Sequence, residues 1–476
     1  MVNATDIRLR WATVLAAAAV LTAAAWLRGA EYDEQYTLFL TAGTARPVWP
    51  ATVFPAGMAA SIQAGHTTFA AIARDLRTTD VHPPLYFWTV SLWRRVFGPG
   101  LFAARMLSVL CGIVSVWLVG IIARRCRGRP APAMLITLGC YGFVYTNAIA
   151  RGFAPAETLT LAGIALLLAR RFAAAGLCLG AACCCNYLAV FVGAAAVVAA
   201  GAWTAIPAAL PFLALDGWFF LAQHAARVGQ FPPFSLGAAM IRLVRYQGAA
   251  VFGGLPLYLP GIWQNLAGAG LALVSVLLVV PAIRTRPWAG NPAVWPILAA
   301  AGAPAIGLLA LGAVFDNTPI ELRYLSFGLP FVALLLATPS RWFRPRMALL
   351  LTLQLGGIAG LLLSPRTMQP AGAAARDAVR LGGGAVVLVP SGNDGVGIVG
   401  AFAISAPPGM PMLAVSRGEA VVPLLAPFDR VAVAVLAQDR DSIAELGALH
   451  AVLTAPVWRQ VAGTNDLEVF ERCGAC

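Results

Sequence analysis

The sequence predicts a polytopic α-helical membrane protein of about 11 spans, followed by a C-terminal α/β soluble domain. Of its 476 residues 60% are hydrophobic and only 11% are charged, and the mean hydropathy is +0.78. A soluble protein carries roughly 25% charged residues. The composition therefore excludes a soluble enzyme, a disordered chain and a disulfide-stapled secreted domain.

The charged residues divide the chain into two parts. The net charge is +13, but the basic residues are all arginines in short clusters between apolar runs. This pattern is typical of orientation signals in membrane proteins and does not indicate a nucleic-acid partner. Half of the 20 acidic residues lie after the last long apolar run. We expect a membrane domain over 1–364 and an extracytoplasmic α/β domain over 365–476.

Apolar runs of spanning length fill most of the first part. They cover 11–27, 101–123, 131–150, 154–169, 172–203 (two short spans with a bend), 205–222, 266–283, 292–315, 324–338 and 347–363. Short arginine-rich loops stay in the cytoplasm, which puts the N-terminus inside and the C-terminal domain outside. The absence of lysine beside abundant arginine and alanine indicates a bacterial chain, so we expect it in the bacterial cytoplasmic membrane.

Residues 31–100 form one long outer loop in this topology, and loops of such length are usually functional. The run 85–97 is too short for a span and contains Arg94 and Arg95. We therefore predict that it is a helix lying at the outer membrane surface, and we interpret 236–247 in the same way.

Ionisable residues gather at the outer boundary of the membrane domain. These are Asp33, Glu34, Asp75, Asp80, Glu157, Asp316 and Glu321, with Arg151 and Arg323. Arginine binds phosphate with a fork of two donors, and a nearby carboxylate can take a proton from an acceptor. The grouping suits a substrate with an anionic head and an apolar tail.

Two local patterns stand out. Residues 31–36 (Glu-Tyr-Asp-Glu-Gln-Tyr) directly follow the first span, and 80–88 (Asp-Val-His-Pro-Pro-Leu-Tyr-Phe-Trp) come later in the outer loop. A solvated helix start also explains the first pattern, because acids favour the first turn. A stiff helix start with aromatic anchors also explains the second.

Taken together, these patterns resemble the polyprenyl-phosphate-dependent GT-C glycosyltransferases, in the branch that holds the protein O-mannosyltransferases and the lipid A aminoarabinose transferases. The matching strings, in chain order, are Tyr32-Asp33-Glu34, Asp80-Val81-His82-Pro83-Pro84-Leu85-Tyr86, Phe97-Gly98 followed by Arg105, Ala150-Arg151-Gly152-Phe153, and Glu321-Leu322-Arg323-Tyr324-Leu325 leading to Pro330. Each string is short, but their order and their positions relative to the spans agree over 1–364.

The resemblance implies a GT-C fold and an inverting transfer of one sugar from a polyprenyl-phosphate donor to a lipid, glycan or protein acceptor at the outer face. It implies that Asp33 is the general base, with Glu34 shaping the site or placing the acceptor. It also implies that the donor phosphate and sugar are bound by His82, Arg151, Arg323 and Tyr324. Asp80 and Tyr32 are possible additional site residues.

The chain departs from the family's pattern in one place. His82-Pro83-Pro84 stands where the aminoarabinose branch tends to carry Glu-Lys-Pro, and the chain has no lysine, which argues against aminoarabinose transfer. A divalent metal helps some members of the family, but the four histidines show no metal-ligand spacing. We therefore predict no metal and no certain cofactor. Asn186 and Tyr187 receive no role.

The C-terminal domain shows an α/β pattern. We predict strands over 385–390, 397–404, 412–415, 431–436 and 467–470 and a helix over 441–449. The glycine-rich turn 391–397 lacks the residues of a nucleotide-binding loop. Cys473 and Cys476 end the chain, where we expect an incidental or structural disulfide.

The alternative function is a transporter or lipid flippase without covalent chemistry. Transporters place ionisable residues near the middle of the membrane, on broken and often repeated helices. Here the acids gather at one face and the two halves show no repeat. The pattern therefore favours the glycosyltransferase.

Overall fold

The computed structural model describes residues 4–223, 231–254, 259–284, 291–337, 343–363, 370–416, 418, 420–437 and 439–473. They form two compact units. The first comprises Met1–Trp26, Leu76–Thr89 and Arg105–Ser364, and the second comprises Leu27–Asp75, Val90–Ala104 and Pro365–Cys476. The predicted division between 364 and 365 lies outside the described residues.

Helices make up nearly all of the regular structure before Leu363. Those up to residue 222 are α1 (Ala4–Leu27), α2 (Tyr32–Ala42), α3 (Gly57–Gln63), α4 (Phe69–Thr79), α5 (Pro84–Phe97), α6 (Leu101–Arg125), α7 (Pro130–Gly139), α8 (Tyr141–Thr146), α9 (Phe153–Leu168), α10 (Phe172–Cys185), α11 (Ala189–Ala200) and α12 (Ile206–Ala222). They are followed by α13 (Leu236–Phe252), α14 (Ile262–Arg284), α15 (Val294–Phe315), α16 (Leu329–Leu336) and α17 (Phe343–Leu363).

Six helices of the described residues are long and apolar enough to cross a membrane, and five apolar helices are shorter. Each predicted span contains one of these helices. The bend predicted near Asn186 is confirmed, because α10 ends at Cys185 and α11 begins at Ala189. The run 85–97 is a helix, α5, and 236–247 lies within α13. The number of spans and the membrane-surface placement of both segments stay predictions.

The prediction of one continuous span over 131–150 is wrong. The backbone turns to an extended conformation at Cys140, which separates α7 from α8. The side chain of Gln354, 1% exposed, donates to the carbonyl oxygens of Ile136 (3.2 Å) and Val251 (3.0 Å). This buried amide thus joins the last turn of α7, beside the break, to the end of α13.

Past α17, helices alternate with strands. They are α18 (Ala371–Leu381), β2 (Val386–Pro390), α19 (Gly397–Ser405), β3 (Pro411–Val415), α20 (Val421–Leu425), β4 (Arg430–Ala434), α21 (Arg440–Leu453), β5 (Trp458–Gly463) and β6 (Leu467–Arg472). A short strand earlier in the chain, β1 (Phe54–Pro55), joins their sheet.

The sheet has the order β1-β3-β2-β4-β6-β5. Strand β2 lies parallel to β3 and β4, and the other pairings are antiparallel. Successive residues of a strand point to opposite faces. Val387 and Val389 accordingly pack with α18 and α19, while Leu388 packs with α21 on the other face. The predicted α/β domain is thus a mixed sheet covered on both faces.

The predicted strand over 397–404 is wrong, because this segment is the helix α19. Its residues are almost all apolar and buried, and periodicity cannot distinguish such a short apolar run from a buried strand. The other predicted strands correspond to β2, β3, β4 and β6, and the predicted helix corresponds to α21. Strand β5 and the edge strand β1 were not predicted.

Candidate functional site

A buried ion cluster lies at the start of α9 in the first unit. Arg151 is 3% exposed and Asp80 is 7% exposed. Oδ1 of Asp80 accepts a hydrogen bond from Nδ1 of His82 (2.7 Å), and Oδ2 lies 3.4 Å from Nη1 of Arg151. Nη2 of Arg151 lies 2.9 Å from Nδ1 and 3.2 Å from Nε2 of His82, so the guanidinium lies against the imidazole ring. The imidazole is therefore held between a carboxylate and a guanidinium.

This cluster keeps Asp80 ionised. Burial alone would raise the pKa of Asp80, but His82, Arg151 and the N–H of Val81 (2.6 Å) outweigh it and hold the pKa well below its usual range. A buried arginine is costly without a partner. The carboxylate of Asp80 therefore compensates the charge that Arg151 brings into the protein.

A polar chain from α10–α12 fixes the loop that carries His82. Gln223, fully buried at the end of α12, donates to the carbonyl oxygens of Leu76 (3.0 Å) and His82 (2.8 Å). The hydroxyl of Tyr187 donates to Oε1 of Gln223 (3.0 Å). Neither Tyr187 nor Gln223 was predicted as a site residue. Gln223 and its partner Leu76 lie 147 positions apart, so their contact leaves no local pattern in the sequence.

Arg151 sits on a short buried connection between α8 and α9. The side chain of Asn147 caps α8 by donating to the carbonyl oxygen of Phe143 (2.9 Å), while its Oδ1 has no partner among the described residues. The carboxyl group of Glu157, 1% exposed, faces this amide. An ionised carboxylate is expensive in such surroundings. Glu157 and Asn147 are buried polar neighbours beside the connection that carries Arg151.

A second arginine lies in the 3₁₀ segment Leu322–Gly328 before α16. Nη2 of Arg323 is 2.7 Å from Oε2 of Glu321, and the guanidinium lies 5.3 Å from the ring centre of Tyr324. Ile320 and Leu325 anchor the segment in an apolar cluster with Ala239 of α13. Packing therefore holds Arg323 beside a carboxylate and an aromatic ring.

Tyr324 connects the two arginines. Its ring stacks on Phe153, two residues after Arg151, with the ring centres 6.2 Å apart. The contact between Tyr324 and Phe153 thus links the segment that carries Arg323 to the one that carries Arg151.

Glu321 is the titratable member of this second cluster. Burial raises the pKa of Glu321 to about 7, and the positive charge of Arg242 opposes that shift. Near neutral pH its carboxylate therefore competes with any other anion for Arg323.

The predicted base lies in the second unit, on the first turn of α2. Glu31 and Glu34 form a capping box in which Glu34 accepts the N–H of Glu31 (2.9 Å). Arg28 pairs with Glu31. Glu34 is fully buried, whereas Asp33 is half-buried. The carboxylate of Glu34 is thus committed to the helix start.

The structure groups the predicted residues by unit. Asp80, His82, Arg151, Arg323 and Tyr324 lie in the first unit, and Tyr32, Asp33 and Glu34 lie in the second. The contacts described above link the residues of the first group to one another. The sequence strings alone did not establish these contacts.

No group of three metal-ligating side chains occurs among the described residues. The predicted partner of Cys473, Cys476, lies outside the residues that the structure describes, so the predicted disulfide stays a prediction.

Comparison with protein families supports the resemblance seen in the motifs. Residues 81–225 match the family model described as dolichyl-phosphate-mannose-protein mannosyltransferase. That segment includes His82, Arg151 and Gln223. No match was found among the curated proteins.

The fold is similar to that of ArnT from Cupriavidus metallidurans. The crystal structure of ArnT in the apo state has a TM-score of 0.52, with 14% sequence identity over 96% of each chain. The structure of ArnT bound to undecaprenyl phosphate has a TM-score of 0.50, with 13% identity over 98% of each chain. The predicted family resemblance is confirmed, and the chain is a multi-pass membrane protein with this fold.

We predict that Asp80→Asn destabilises the protein. Removing one partner of a buried ion pair costs roughly 3–5 kcal/mol, and thermal unfolding in detergent will measure the loss. The pKa of Asp80 is lower in the folded protein than in the unfolded chain. Its stabilising contribution is therefore complete above the pKa of the unfolded chain, and it is lost as the pH falls to the pKa in the folded protein. Wild-type stability from this pair should therefore not change between pH 5 and 8.

The control for this prediction is Asp75→Asn. Asp75 pairs with Arg74, whose side chain is 69% exposed, and exposed pairs contribute about 0–1 kcal/mol. Equal losses in the two variants would contradict a structural role for the Asp80–Arg151 pair.

We predict that donor affinity depends on pH through Glu321. As the pH falls from 8 to 6, Glu321 takes up a proton because its pKa is about 7, and Arg323 becomes available to phosphate. The KM for donor should therefore decrease over this range. Glu321→Gln should have a low KM that does not vary with pH, whereas Glu471→Gln, at an exposed site in the second unit, should retain the wild-type slope. A wild-type slope in Glu321→Gln would refute this role.

We predict that Glu157→Gln preserves function and Glu157→Ala does not. Glutamine keeps the volume of the side chain and a polar group beside Asn147, whereas alanine removes both and leaves a buried polar group unpaired at a cost of about 1–3 kcal/mol. The KM for donor should rise in the alanine variant, since the connection bearing Arg151 loses its support. If Glu157 instead transferred protons, glutamine would abolish activity as fully as alanine.

Proposed function

Because residues 81–225 match the family model described as dolichyl-phosphate-mannose-protein mannosyltransferase, we propose that this chain is an inverting membrane glycosyltransferase. It moves one sugar from a polyprenyl-phosphate donor to an acceptor hydroxyl. The observation that carries the proposal is the contact between Phe153 and Tyr324, which links the segment of buried Arg151 to that of half-buried Arg323.

The arginines bind the donor phosphate in this proposal. Arg151 is oriented by Asp80 and His82, and Arg323 lies between Glu321 and the ring of Tyr324. Guanidinium groups fixed in this way stabilise the charge that collects on the phosphate as the bond to the sugar breaks. The undecaprenyl phosphate bound to ArnT, whose fold is similar, agrees with a lipid-phosphate ligand.

Asp33 is the general base. It removes the proton from the acceptor hydroxyl while that oxygen attacks the anomeric carbon, and the lipid phosphate leaves from the opposite face. One displacement inverts the configuration at that carbon. A single base is sufficient, because phosphate leaves without protonation by a second carboxylic acid.

The reaction takes place at the outer face of a bacterial cytoplasmic membrane. The arginine-rich loops between apolar runs support this orientation, with the N-terminus inside and the C-terminal domain 365–476 outside. Eleven spans and two membrane-surface helices, α5 and α13, complete the proposed topology. The exposed side chains of Leu92, Val96 and Phe97 on α5 suit contact with lipid.

The test uses full-length protein in proteoliposomes with radiolabelled undecaprenyl-phosphate mannose and matching pentose donors. An envelope fraction from cells lacking the protein supplies acceptors. We expect covalent transfer of label by the wild type and a loss of about 10²–10⁴-fold in Asp33→Asn, the range that a general base contributes.

Asp441→Asn is the matched control, because Asp441 is likewise the second residue of a helix in the second unit. It should transfer sugar like the wild type. Undiminished transfer by Asp33→Asn would refute its assignment as base. Movement of every labelled donor across the bilayer without covalent product would favour the transporter instead.

A further inference from the structure

The helix that carries Asp33 packs closely on α19 of the second unit. A Cβ atom at Gly397 would lie 2.3 Å from the ring of Tyr32, and one at Gly400 would lie 2.8 Å from the ring of Phe39. Both distances are too short for any side chain. The two glycines therefore form a shallow groove on α19 that receives α2.

Hydroxyl groups fix the first turn of α2 to the loop before α19. The hydroxyl of Tyr36 donates to Oδ2 of Asp394 (2.5 Å), and it lies 2.7 Å from the hydroxyl of Tyr32. Burial, Tyr32 and Asp394 together raise the pKa of Tyr36. The hydroxyl therefore remains a donor throughout the physiological pH range. We call Tyr32, Tyr36 and Asp394 the tyrosine clamp.

The loop that provides Asp394 is itself rigidly held at the end of β2. Oδ1 of Asp394 accepts the N–H of Val396 (3.0 Å), and Trp49 donates to the carbonyl oxygen of Gly395 (2.5 Å). Glu445 of α21 accepts the N–H of Gly392 (3.0 Å). The clamp thus connects α2 to the sheet and not to a mobile surface loop.

We propose that the second unit positions the catalytic base, with Tyr36 and Asp394 as positioning residues and the Gly397–Gly400 groove setting the depth of α2. Asp33 lies between Tyr32 and Tyr36 on the same turn, so any rotation or shift of that turn moves its carboxylate. This inference rests on the proposed role of Asp33. It assigns a function to the soluble domain, for which the sequence motifs gave none.

The geometry makes catalysis more sensitive than folding to the clamp. A misplacement of about 1 Å in a reacting group can reduce the rate by roughly 10²-fold. Loss of one hydroxyl hydrogen bond costs only about 0.5–1.5 kcal/mol of stability. Small changes in the clamp should therefore lower kcat while the protein stays folded.

The test compares Tyr36→Phe and Gly397→Ala with Gly447→Ala in the full-length protein. Gly447 lies in α21 with open space around it, so the control adds the same methyl group without contact. We expect kcat for sugar transfer to fall about 10–100-fold in the first two variants. The KM for donor and the affinity for undecaprenyl phosphate should stay at wild-type values.

Hydrogen exchange provides a readout that does not depend on activity. Exchange of the amides of residues 32–36 should accelerate in Tyr36→Phe and remain slow in Gly447→Ala. A wild-type kcat in both clamp variants would overturn the inference, as would an equal change in kcat and in donor KM. Failure of the proposed function can be distinguished from failure of this inference. If Asp33 is not the base, Asp33→Asn itself retains activity.

Discussion

The pairing of buried Arg151 with Asp80 is the interaction on which the first unit depends. A guanidinium cannot lose its proton under physiological conditions, so burying it requires a carboxylate nearby. His82 and the N–H of Val81 donate hydrogen bonds to that carboxylate. Gln223 holds the loop by donating to the carbonyl oxygen of His82. The result is a cation whose direction is fixed by the fold. In the proposed mechanism such preorganisation lowers the barrier when negative charge develops on the phosphate.

The two neighbouring acids of the second unit perform different tasks. Glu34 closes the start of α2 and is fully buried, while Asp33 is half-buried. The capping box fixes the beginning of the helix, and the tyrosine clamp fixes its rotation against α19. In the proposed mechanism, the second unit therefore orients the base and the first unit binds the phosphate.

Local pattern predicted most helices and strands but not their long-range partners. The bend near Asn186 and the strands β2, β3, β4 and β6 followed from apolar runs and turn residues. The break at Cys140 was not predicted from the continuous apolar run 131–150, and the contact of Cys140 with Gln354, 214 residues further along the chain, required the fold. Among the site residues, the motifs indicated Asp80, His82 and Arg151 separately, whereas their mutual contacts required the fold.

The most direct test of the account is a double-mutant cycle on lipid-phosphate binding. It measures the affinity of undecaprenyl phosphate for the wild type, Arg151→Gln, Arg323→Gln and the double variant. If both side chains bind one phosphate, each single change weakens binding and the two effects couple by about 0.5–3 kcal/mol. Unchanged affinity in either single variant, or strictly additive losses, would contradict a shared phosphate site.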